Sequence, residues 1–120
     1  MTISDMPENE RPISEQFRVT AKHWIDADHH ARMLEEMKTP ELERRKGALI
    51  DAALPEDKMT EAKAERLVKS TSEWRDYIRA LVEARTKANR FEKQLDHIEK
   101  LQWEVNNANA NHRAEMRLTQ

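Results

Sequence analysis

The sequence predicts an all-α protein, a helical hairpin or bundle dominated by one long C-terminal, coiled-coil-like helix. Three observations lead there. The 120 residues include one Gly and four Pro, too few turn formers for a strand-rich fold. Charged residues make up 37% and hydrophobic ones 38%, and the mean hydropathy of −0.99 fits solvated helices. The apolar residues recur at spacings of three and four, as one buried face of a helix requires.

Residues 1–13 carry two prolines and little apolar content, which reads as a flexible leader before a single helical domain over 14–120. Ser14 is placed to cap a first helix over about 14–38, whose stripe is Phe17, Ala21, Trp24, Ala27, Ala31 and Leu34. Thr39 and Pro40 have the residue types of an N-cap and first helical position, so the helix restarts or kinks there and a segment over 40–54 follows. The stretch LPEDKMT breaks the pattern, and Thr60 caps a short helix over 60–69. Ser70 followed by Glu73 has capping-box spacing, with Ser72 as the alternative cap for a last helix over 72–117.

That last helix holds a heptad from Trp74 to Met116. Trp74, Leu81, Ala88 and Leu95 take one core position, and Tyr77, Ala84, Phe91, Ile98 and Val105 the other. About 45 helical residues would reach roughly 68 Å, so the rod needs the N-terminal helices, another subunit or both as packing partner. In VNNANANH the seam turns polar; it either frays or uses Asn109 to fix register.

The same composition excludes several functions. With no Cys there is neither a disulfide nor a thiolate metal site. Gly47 is the only glycine, so no phosphate-cradling loop can form, and no Ser lies in a nucleophile elbow. His23, Asp26 and His30 share a helix face, yet no second Glu-x-x-His motif accompanies them, so a hydrated polar face is expected there and no metal. The chain is therefore read as a non-enzyme without cofactors. No stretch approaches the roughly 20 apolar residues that cross a bilayer, and a cytoplasmic protein without membrane contact is the expectation. A net charge of −2 and a pI near 6.2 restrict any nucleic-acid contact to a local patch.

Such a patch stands between Arg75 and Lys93. Arg75, Arg79, Arg85, Lys87, Arg90 and Lys93 face three acids, Asp76, Glu83 and Glu92, a local balance of +3. These positions lie outside the seam, so a phosphate backbone can run along them; the competing explanation is a solvated coiled-coil flank. Trp74, Tyr77 and Phe91 sit on the seam and are read as packing residues. Trp103 lies off it, the one aromatic of this helix free for a surface contact.

The stretch AERLVKSTSEWRDYIRALVEARTKANRFEKQLDHI and the closing HRAEMRL resemble small all-helical phage proteins related to UvsY-type recombination mediators, over roughly residues 20–117. The likeness lies in a helical N-terminal half, a Val-Lys-Ser-x-Ser-x-aromatic lead into the long helix, and an Ala-Arg-x-x-Ala-Asn segment. It implies an oligomeric phage accessory protein, acting in a bacterial host, that binds single-stranded DNA and helps load a recombinase onto strands covered by single-strand-binding protein. Among the matching positions Trp74, Tyr77 and Ala88 are then packing residues, and Arg85 a phosphate contact. The seam from Trp74 to Val105 would join the subunits. The rival expectation is a helical protein-binding module, an adaptor or host-factor inhibitor whose acidic N-terminal half does the work without DNA.

Overall fold

In the computed structural model of the chain, the described residues are Asp5, Pro7 and residues 11–119. They form three α-helices and no strand, so the fold is all-α. Helix α1 is Ile13–Ala52, a 3-10 turn follows at Pro55–Asp57, α2 is Glu61–Lys69 and α3 is Ser72–Thr119. Most of the leader expected over residues 1–13 lies outside the described residues.

The boundaries follow from local hydrogen bonding. The Pro12 carbonyl accepts from Glu15 N and Gln16 N at 3.0 Å each, so α1 is already under way at Ser14, which is not its cap. Helix α1 also runs through Pro40 as one helix, so of the restart and the kink expected there, a restart into segments 14–38 and 40–54 does not occur. Proline in a helix interior loses one ladder bond and costs about 3 kcal/mol; Pro40 and the five residues before it are all exposed. Thr60 caps α2 as expected, its hydroxyl accepting from Lys63 N at 3.2 Å. For α3 the cap is Thr71, between the two serines favoured by the sequence. Its hydroxyl accepts from Trp74 N at 3.2 Å and donates to the Val68 carbonyl at 2.7 Å. That one side chain closes α2 and opens α3. Ser70 is instead the C-cap of α2.

The contacts fall into two compact units. The first is Ala27–Lys87 and the second combines Met1–Asp26 with Ala88–Gln120. In Ala27–Lys87 the buried side chains are mostly small, with Ala31, Ala64, Val68, Trp74 and Ala84 under 8% exposed. Alanine at these positions lets helices approach closely around Trp74, the one large residue among them. The Tyr77 ring stacks on Trp74 at 5.4 Å, and the Tyr77 hydroxyl donates to the Leu34 carbonyl. In the other unit Thr20, Ala88 and Ile98 are buried, Phe17, Trp24, Phe91 and Leu95 are half-buried, and His23 stacks on Phe91 at 5.5 Å.

Gly47 sits inside α1 with a negative φ, and an added Cβ would meet nothing within 4 Å. Glycine in a helix interior costs about 0.8–1.0 kcal/mol relative to alanine. Gly47→Ala is therefore expected to stabilise the protein by about that amount, measured as a rise in the urea midpoint; an unchanged midpoint would mean that the turn around Gly47 gains nothing from helix propensity.

Candidate nucleic-acid interface

Helix α3 carries all six basic residues singled out in the sequence, and the structure divides them by what they touch. Arg85 is not available to a ligand. Its guanidinium donates from Nη1 to Asp28 at 2.8 Å and from Nε to Glu35 at 2.6 Å, clamping α1 to α3 inside the unit Ala27–Lys87. The expectation that Arg85 contacts phosphate is corrected accordingly: two carboxylates already occupy the fork, and an anion would have to displace both. Arg79 makes a long contact of 3.8 Å with Asp76, both largely exposed. Exposed pairs of this kind are weak, so Arg79 remains available.

Arg75, Lys87, Arg90 and Lys93 are exposed, with no ion-pair partner among the described residues. Arg75, Arg79 and Lys87 belong to Ala27–Lys87, whereas Arg90 and Lys93 belong to the other unit. In that second unit the line continues. From Arg90 the steps of three and four along α3 reach Lys93, His97 and Lys100, all exposed, with no carboxylate on the line itself. Lys100 and His97 were missed in the sequence, although the i+3 and i+4 spacing from Lys93 was there to find them. Like charges at this spacing destabilise a helix slightly. Asp96, i+3 from Lys93 and i−4 from Lys100, and Glu104, i+4 from Lys100, are the acids that border this row.

The sequence left open whether the seam packs within the chain, against another subunit or both, and most of it is covered from within the chain. Trp74, Ala84, Ala88 and Ile98 are buried inside the chain itself, and Tyr77, Leu81, Phe91 and Leu95 are half-buried. Only Val105, 45% exposed, lies open. The line from Trp74 to Ile98 is therefore covered largely from within the chain, with Tyr77, Leu81, Phe91 and Leu95 keeping part of their surface open. From Gln102 to Thr119 every residue of α3 is exposed, and the Asn-rich stretch stays helical throughout.

His23, Asp26 and His30 are all exposed, and among the described residues no three His, Asp or Glu side chains come together closely enough to hold a metal ion. Among the same residues, no helix is long and apolar enough to cross a membrane.

Two charge centres stabilise Ala27–Lys87. The Lys46 ammonium, 7% exposed as a residue, lies 3.2 Å from Glu43 and 3.8 Å from Glu61; the hydrogen bond to Glu43 raises its pKa against the opposing effect of burial. Asp28 is held below the usual carboxylate range, first by the hydrogen bond from Arg85 and then by the charges of Arg32 and Arg85. A carboxyl whose pKa is lower in the folded state stabilises fully above its unfolded value, about 3.9 for Asp, and that contribution disappears as pH falls through the folded value. Acidification below about pH 4 should therefore lower the thermal midpoint of the native chain more steeply than that of Asp28→Asn. Parallel curves would show that Asp28 is not coupled to folding.

No known family, curated protein or solved structure matches this chain.

Proposed function

We propose that this chain is a non-enzymatic accessory protein of phage recombination that binds single-stranded DNA without sequence preference, works as a homo-oligomer and helps a recombinase load onto strands held by single-strand-binding protein. The observation that carries the reading is the exposed row Arg90, Lys93, His97 and Lys100 on α3, whose Arg90, Lys93 and Lys100 make no ion pair with a described residue although Asp96 and Glu104 lie beside it. Four basic side chains three or four residues apart follow one helix face, and phosphate contacts of this type need no base readout. The resemblance of the α3 region to UvsY-type mediators supports the recombination context, and with it the cytoplasm of a bacterial host as the place of action. With the seam covered largely from within the chain, the aromatics Trp74, Tyr77 and Phe91 serve packing, and the binding mode is electrostatic.

The rival reading, a protein-binding module, draws on one observation. A groove of about 450 Å³ in Ala27–Lys87 is lined by Ala48, Leu49, Val68 and Thr71 with Arg44, Arg45 and Glu73 at its edge, an apolar floor with a rim of both charges. Fluorescence anisotropy of a labelled oligo-dT strand, titrated with the full chain over a salt series, separates the two. Binding that weakens steeply with salt is expected; no binding at low salt would remove the DNA reading and leave the groove as the feature to pursue.

A further inference from the structure

The end of α3 is a bare helix. Residues 102–119 are all exposed, include four Asn, and are buried by none of the described residues, although helices of this length are marginal alone. One face of this segment is unlike the others. Trp103 stands 67% exposed, and further along the same face Ala110, Arg113, Ala114 and Arg117 frame a shallow hollow of about 200 Å³. Their spacing of i, i+3, i+4 and i+7 is that of the hole which receives one side chain of a facing helix. Trp103 cannot fill its own hollow: helix side chains lean toward the N-terminus, whereas the hollow begins seven residues C-terminal, about 10 Å away along the axis.

We propose that two copies of this chain pair antiparallel through this face, the Trp103 indole of each seated in the Ala110–Arg113–Ala114–Arg117 hollow of the other. The contact is self-complementary, as a two-fold interface requires. With Trp103 over the middle of the hollow, Glu99 comes level with Arg117 of the second copy, and by symmetry Arg117 comes level with the second Glu99. Both residues are exposed and neither has an ion-pair partner among the described residues. Alanine at 110 and 114 lets the indole reach the backbone, and the guanidiniums of Arg113 and Arg117 flank its π face favourably. Parallel pairing would place Trp103 against Trp103 and Arg117 against Arg117, leaving both hollows unfilled. Helical spacing puts the row Arg90, Lys93, His97 and Lys100 on a different side of α3, so pairing leaves those cations open. This inference deepens the oligomeric half of the proposed function and does not depend on DNA binding.

Light scattering on the full chain without nucleic acid, over a concentration series, tests it. The mass is expected to rise toward twice 14.2 kDa, and Trp103→Ala to weaken self-association about tenfold or more, the scale of a buried aromatic anchor. Glu99→Arg and Arg117→Glu should each weaken pairing, and the double variant should restore it. A chain that stays monomeric at every concentration, a dimer indifferent to Trp103→Ala, or a double variant as weak as the single ones would overturn the proposal. Because DNA is absent, failure here is distinct from failure in the anisotropy titration.

Discussion

Trp74→Ala is expected to cost about 3–5 kcal/mol, the range for removing a buried aromatic ring, and to be the most damaging single truncation in Ala27–Lys87. The residue is 4% exposed, stacks on Tyr77 at 5.4 Å, and lies under the Arg45 guanidinium at 5.8 Å. Its buried neighbours are mainly alanines and a valine, which cannot extend into the vacated volume, so the cavity stays open. Small domains have only about 5–15 kcal/mol of total stability, and a loss of this size brings the unit near the threshold of unfolding. Trp74→Phe retains an aromatic ring at the site and should lose less. Urea unfolding followed by far-UV circular dichroism measures both; a midpoint shift for Trp74→Ala no larger than that of a surface substitution would show that Trp74 is not what holds these helices together.

The fold class and the location of the helices were legible in the sequence because they depend on short-range periodicity. The break at LPEDKMT, the cap at Thr60 and the alternation of seam and solvent along α3 all follow from residues within a turn or two of each other. What local pattern could not supply was competition between near-equal candidates. Ser70, Thr71 and Ser72 all have capping chemistry, and Thr71 prevails because it alone stands three residues before the buried Trp74 while also reaching Val68. Pro40 was read as a restart or a kink on its intrinsic cost, and α1 continues through it as one helix.

The candidate interface was half legible. The surplus of cations on α3 is a count, and the count holds. The role of each cation depends on carboxylates far away in the chain, and here the sequence is silent: Asp28 and Glu35 are 57 and 50 residues from Arg85. Nothing in the neighbourhood of Arg85 distinguishes it from Arg90, yet one is a structural clamp and the other is open to solvent. The heptad likewise shows that a seam exists without showing who covers it. Trp74, Ala84, Ala88 and Ile98 are buried inside the chain itself, whereas residues 102–119 are uncovered.

The clamp and the open row make opposite predictions for charge reversal, and the salt dependence of DNA binding gives the larger effect. Binding to single strands falls with salt with a log–log slope of about −0.7 per phosphate neutralised. If Arg90, Lys93 and Lys100 each contact one phosphate, the slope is about −2, and a fourfold rise in salt weakens binding roughly twentyfold. If two paired copies lay their rows on one strand, six contacts give a slope of about −4. Reversing all three residues to Glu should abolish binding at moderate salt while leaving the thermal midpoint nearly unchanged, because none of them touches the core. Arg85→Glu should do the reverse in origin: it sets a third acid beside Asp28 and Glu35, lowers the midpoint, and affects DNA binding only in so far as the protein unfolds. Anisotropy and thermal melts on the two variants discriminate cleanly. A triple reversal that binds as the native chain does would take the row out of the mechanism, and an Arg85→Glu variant that keeps its midpoint but loses DNA would return Arg85 to it.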